Sequence, residues 1–206
     1  MRALVLVDLQ YDFMPGGSLA VARGDEVVAI AQTLIPKFDT VIATQDWHPR
    51  DHASFAANHP GKQVGEMIEL DGLPQILWPA HCVQGTRGAE IHEMIDKKRI
   101  TAVFRKGIDP MIDSYSGFFD NGHKKATGLG DWIRERKITK LFVMGLATDY
   151  CVKFTVLDAR ELGVEVVLVE DGCRAVNLAA GDDARAIEAM REAGASVVLS
   201  DSVTAR

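Results

Sequence analysis

Residues 141–157, LFVMGLATDYCVKFTVL, decide the fold. The first four, Leu141 to Met144, form an unbroken apolar run of the length expected for a strand buried on both faces. Gly145 interrupts the run, and Ala147, Thr148 and Asp149 make a turn. From Tyr150 onward, apolar Val152, Val156 and Leu157 recur on one helical face. This spacing predicts Cys151 in the first turn of a helix that directly follows a buried strand. Unpaired N–H groups in such a turn carry positive partial charge, which favours a thiolate and suits an oxyanion. On the cysteine alone, an ordinary core residue is the commoner reading.

The same kind of apolar run recurs on either side. Residues 2–7 end at Asp8, 40–44 lead to Asp46, 100–104 lead to Lys106, and 164–169 end at Glu170 and Asp171. Residues 196–199 form a last short strand. Helical periodicity falls between the runs. Asp25 is expected to cap a helix with Val27, Ile30, Ala31, Leu34 and Ile35 on its inner face. Short helices are expected at 89–97 and 131–136. Asp182 is expected to cap a helix with Ile187 and Met190 inward and Gly194 at its end. Residues 47–86 carry Pro49, Pro60, Pro74 and Pro79 with no sustained period, and residues 107–130 form a second long loop. Loops of this length in a compact domain are usually functional. Six strand runs alternating with helices predict an α/β fold, a single-domain three-layer α/β/α sandwich with a six-stranded, mostly parallel sheet. No repeat or linker divides the chain, so residues 1–206 are expected to be one domain.

Composition narrows the class. The 206 residues are 47% hydrophobic and 25% charged, ordinary values for a soluble globular protein, and the net charge of −6 argues against nucleic acid as a partner. The N-terminal apolar run is too short for a signal peptide and is broken by Asp8. No segment has the apolar length of a membrane span. Three cysteines, Cys82, Cys151 and Cys173, are an odd number without CxxC spacing. A reducing, cytoplasmic location is therefore expected.

Asp8, Asp46, Lys106 and Cys151 all fall at or just past the C-terminal ends of expected strands, the edge where open parallel sheets bind ligands. Asp8 is a candidate general base for the sulfur, against the plainer role of a loop-capping carboxylate. Lys106 would stabilise the ionised forms of both, unless it is a snorkelling surface lysine. Asp46, His48 and His52, in the spacing DxHxxxH, can converge on one metal, and His81 within WPAHC could complete the set. One carboxylate with imidazoles suits zinc, iron or manganese. His59, His92 and His123 read as surface residues. Phe13, Trp78 and Tyr115 lie in loops, either covering the sheet edge or forming a slot for a flat ring.

The segments VDLQYDF, TQDWHPRDHASF, LWPAHCVQGTRGA, FRKG, DSYSGFF, MGLATDYCVKFTVLDA and DGCR, in this order, resemble the nicotinamidase branch of the isochorismatase-like cysteine hydrolase superfamily. The resemblance implies Asp8, Lys106 and Cys151 as a catalytic triad. It implies Asp46, His48, His52 and His81 as ligands of one divalent metal, with waters completing an octahedron. Phe13, Trp78, Tyr115, Leu146 and Ala147 would surround a pyridine ring, and the N–H groups of Ala147 and Cys151 would form the oxyanion hole. It also implies a cis peptide between Leu146 and Ala147. The implied reaction is hydrolysis of nicotinamide to nicotinate and ammonia through a cysteine thioester, in salvage of NAD, with pyrazinamide as a further substrate. The family includes monomers and higher assemblies, so a homodimer stays open. Three other readings compete: an amidase of the same superfamily acting on carbamoyl or ureido groups, a metallohydrolase with an incidental cysteine, and a flavodoxin-like binding module. The last lacks any phosphate-binding glycine loop.

Overall fold

The computed structural model describes residues 1–205. Strands β1 (Arg2–Val7), β2 (Val41–Asp46), β5 (Ala102–Lys106), β6 (Lys140–Leu146), β7 (Glu165–Arg174) and β8 (Ser196–Val198) form one six-stranded sheet in the order β5-β2-β1-β6-β7-β8. Every pairing in it is parallel. The continuous apolar runs are explained by this: Ala3 to Val7 and Leu141 to Met144 are almost all fully buried, as strands covered on both faces must be. Helices α1 (Glu26–Leu34), α2 (Leu129–Glu135), α3 (Lys153–Glu161) and α4 (Asp182–Glu192) supply the covering. The chain moves one way from β1 to β2 and β5, then returns and moves the other way through β6, β7 and β8. Right-handed crossovers therefore put α1 on one face and α2, α3 and α4 on the other. The expected three-layer α/β/α sandwich is the one observed.

The reversal of direction lies between β1 and β6. Ligands bind at such a switch point, outside the carboxyl ends of the strands. Asp8 follows β1 and Cys151 follows β6, so the two flank the crevice. Asp46 and Lys106 end neighbouring strands and are direct register partners.

Several local expectations are corrected. Residues 89–97 are not a helix; only single 3-10 turns flank the segment, at Arg87–Ala89 and Lys97–Arg99. Its backbone is captured instead by the loop after β1: Gln10 bridges Ile91, the His92 N–H donates to Leu9 O, and the Glu93 N–H donates to the Tyr11 hydroxyl. Within residues 47–86 a two-stranded antiparallel hairpin forms, β3 (Met67–Leu70) with β4 (Leu73–Ile76). Pro74 and the alternation of polar residues hid it. Asp25 makes no side-chain cap. Asp182 is the first helical residue rather than the cap, its carboxylate accepting from the Ala179 N–H. Strand β7 runs past Asp171 to Arg174 because a bulge opposite residues 143–145 of β6 lets it continue.

Candidate active site

Strand β6 ends in a backbone that only a specific residue allows. Gly145 has φ +131°, and a Cβ there would stand 2.1 Å from Val7 O, so glycine alone fits. The Leu146–Ala147 peptide is cis. Thr148–Val152 then form a single π-helical turn before α3 begins. Cys151 thus lies in a π turn, not in the first turn of an α-helix; wide turns of this kind are frequent at functional sites.

Two carboxylates, a thiol and a carbonyl surround one ammonium. Lys106 Nζ stands 2.8 Å from Asp8 Oδ2, 2.5 Å from Asp46 Oδ1, 3.3 Å from Cys151 Sγ and 3.0 Å from Ser114 O. Its side chain is fully buried, so the snorkelling alternative is excluded. Asp8, at φ +50°, has Oδ1 hydrogen-bonded by the Thr44 hydroxyl at 2.6 Å. Its Oδ2 has the ion pair to Lys106 but no hydrogen bond. Asp8 and Cys151 offer acceptor and sulfur within 4.8 Å. Burial, opposed by Lys106, raises Asp8 above the ordinary carboxylate range. Burial also raises the Cys151 thiol well above its usual value, with Lys106 again opposing. Desolvation thus works against the thiolate that the turn favours, and Cys151 needs a base to take its proton. Lys106 is itself raised well above the usual range, because Asp46 and Asp8 outweigh its burial. It stays charged.

Asp46 joins this cluster to a second one. Its Oδ2 lies 3.6 Å from His48 Nε2 and 3.8 Å from His81 Nε2. Burial opposes its ionisation, but Lys106 and then His48 hold it well below the ordinary range. The rings of His48 and His52 are 4.4 Å apart, and those of His48 and His81 5.0 Å. In all three the Nδ1 atom is already engaged: with Gly107 O for His48, Ser54 Oγ for His52 and Pro79 O for His81. That leaves each Nε2 facing inward, the arrangement by which outer partners orient metal-binding imidazoles. His52 Nε2 is buried without any partner. Burial, reinforced by His48, pushes His52 down to about 4, so it is a neutral imidazole with a free lone pair. These donors fit a divalent transition metal. They do not meet at one point, however. Asp46, His48 and His81 form one close group, and His48, His52 and Asp113 form another. Asp113 was not foreseen; it is buried, and its Oδ2 accepts from Gln75 at 3.2 Å.

Both clusters open on one narrow pocket, lined in part by Phe13, Trp78, Tyr115, Ala147, Cys151, His48, His81 and Asp113. Phe13, Trp78 and Tyr115 thus line this pocket. Leu146 is not among the lining residues: its side chain is fully buried in the core. Tyr150 is a wall that the sequence did not reveal. Read there only as a helix opening, it packs edge-on against Trp78 at 4.9 Å and Tyr115 at 5.3 Å. Tyr115 is held by donors from Trp78 and Gln75, each at 3.1 Å to its hydroxyl.

A parallel α/β sandwich with a buried Asp–Lys–Cys cluster at its switch point is the architecture of a hydrolase family. Residues 2–202 match the family described as "Isochorismatase domain", and the chain belongs to that family. It is 54% identical over 200 residues to the nicotinamidase of Escherichia coli (strain K12), covering 95% of this chain and 93% of that one. A solved Acinetobacter baumanii nicotinamidase/pyrazinamidase superposes with a TM-score of 0.94 at 44% identity, covering 97% of this chain and 96% of that one. The pyrazinamidase of Pyrococcus horikoshii, solved in complex with zinc, superposes with a TM-score of 0.79 at 34% identity, covering 96% and 98%. No helix among the described residues is long and apolar enough to cross a membrane.

Proposed function

We propose that this chain hydrolyses nicotinamide to nicotinate and ammonia, and pyrazinamide likewise, as a one-domain enzyme spanning residues 1–206. The observation that carries the reading is Lys106 in contact with Asp8, Asp46 and Cys151, the last two lining a pocket walled by aromatic rings. Asp8 accepts the Cys151 proton on the oxygen that makes no hydrogen bond. Negative charge then moves from carboxylate to sulfur without leaving the ammonium, which stands within 3.3 Å of both. This is how a buried thiol reacts without a resting thiolate. The sulfur attacks the carboxamide carbon. The N–H groups of Ala147 and Cys151 are assigned to the developing oxyanion, where losing one donor costs about 3 kcal/mol. Asp8 returns its proton to the departing ammonia, leaving a thioester. Water, deprotonated by Asp8, cleaves the thioester and regenerates the thiol.

Asp46, His48 and His81, with His52 beside them, would hold one divalent metal. When bound, such a metal supplies an anchor for the pyridine nitrogen and so fixes the ring's orientation. Phe13, Trp78, Tyr115 and Tyr150 clamp the faces and edges of the ring and exclude water. The reaction would return nicotinamide to NAD salvage, in the reducing cytoplasm that three free buried cysteines suit. The metal donors favour this reading over the superfamily's amidases for carbamoyl or ureido groups. Ammonia release from nicotinamide, followed with and without a chelator, tests it. Release that the chelator suppresses and added metal restores is expected; no release from the metal-loaded protein would refute it.

A further inference from the structure

His123, Asp158 and Glu161 take no part in the chemistry above, yet they converge. Asp158 and Glu161 are three residues apart on α3 and so share one face of it. His123 comes from the 107–128 loop. Its backbone is left-handed, at φ +53°, and its ring is stacked on Phe119 with centroids 4.8 Å apart. Its Nε2 lies 3.3 Å from Asp158 Oδ1. One donor atom from each of the three residues lies within 4.8 Å of the others.

A simple His–Asp ion pair does not account for the rest. Asp158 is only 6% exposed, and its Oδ2 is buried with no hydrogen-bond partner. Burial raises the Asp158 carboxyl above the ordinary range, and the Ser116 hydroxyl and His123 only partly oppose this. A buried, unpaired carboxylate oxygen is costly and calls for a partner. A cleft lined in part by Ser116, Asp120, Asn121, His123 and Asp158 runs beside the group, with Glu161 outside its lining, and His123 is half exposed.

We propose that His123, Asp158 and Glu161 form a second site for a divalent transition metal, distinct from the Asp46–His48–His81 group and suited to zinc. One imidazole with two carboxylates is a donor set zinc accepts readily. The ion would staple the loop that supplies Ser114 and Tyr115 to the helix that follows Cys151. Binding to the folded form alone would raise thermal stability by mass action.

Zinc titration of the chelator-treated full chain, read by calorimetry, tests this. The parent protein is expected to bind two equivalents, the second more weakly because its ligands are fewer and more exposed. His123→Ala and Glu161→Gln, both at exposed positions, are each expected to weaken that second class by about tenfold or more while keeping the first. His81→Ala is expected to lose the first class and keep the second. Zinc is also expected to raise the melting temperature more in the parent than in His123→Ala. A single class in the parent, or unaltered binding in both His123→Ala and Glu161→Gln, overturns the proposal. Neither readout uses turnover, so failure here stays separable from failure of the amidase reading.

Discussion

Lys106 carries the account at the scale of single residues. A lysine with no exposed side-chain surface is tolerated because two carboxylates and a carbonyl surround it. Remove it, and Asp8 and Asp46 are left as buried charges without compensation. Lys106→Met is therefore expected to lose turnover and also about 3–5 kcal/mol of stability, measured by denaturant unfolding. A variant that unfolds at the parent's midpoint would show that the charges are not held as described. Cys151→Ala is expected to behave differently. It deletes one sulfur from a site that needs it for chemistry, so turnover should fall by several orders of magnitude with a normal unfolding midpoint. Ammonia release assayed beside the unfolding curve separates the two effects.

At the scale of elements, turns and short contacts aim these side chains. Gly107 follows β5 at φ +64°, and a Cβ there would lie 2.2 Å from His48 Cε1. Gly107→Ala is expected to displace the His48 ring, to cost about 1–3 kcal/mol through the left-handed backbone, and to weaken metal retention. Metal content after dialysis, compared with the parent, checks this. A second contact ties α1 to β7, where Arg174 Nη2 pairs with Glu26 Oε2 at 2.6 Å. Hydrogen bonds from Arg23, then Arg174, lower Glu26 to about 2. A depressed carboxylate contributes stability above its unfolded value, and that contribution is lost as pH falls through the folded one. Glu26→Gln should thus be slightly less stable than the parent at neutral pH, with the difference gone by about pH 2. A gap in melting temperature that is unchanged across this range would count against the pairing.

These elements also show what the sequence could disclose. Buried parallel strands are written as apolar runs, and their C-terminal ends were marked by Asp8, Asp46 and Lys106 themselves, so the sheet and the meeting of these side chains at one rim were legible. The 89–97 segment was misread because its helical pattern is overridden by backbone bonds to Leu9 and Tyr11, residues far away in sequence. Asp113 and Tyr150 were missed for a related reason. Each becomes part of the site only when the 107–128 loop and the π turn fold against β4 and Trp78. Nothing local in DSYSGFF or ATDYC announces that.

At the scale of the whole molecule, the switch point between β1 and β6 gathers side chains from four strand ends and two long loops at one rim. The arrangement makes the metal donors part of the fold's stability as well as of its proposed chemistry. Asp46 belongs to both clusters, so chelation is expected to lower the melting temperature of the parent and re-addition of zinc to restore it. Unchanged melting on chelation would show that the imidazole group is not a metal site. The central claim concerns the sulfur, and it is tested most directly by the intact mass of the chain, acid-quenched during turnover of nicotinamide. One nicotinoyl group attached at Cys151, absent from Cys151→Ala, is the predicted result. Steady ammonia release with the chain unmodified throughout, continuing at an undiminished rate in Cys151→Ala, would contradict it.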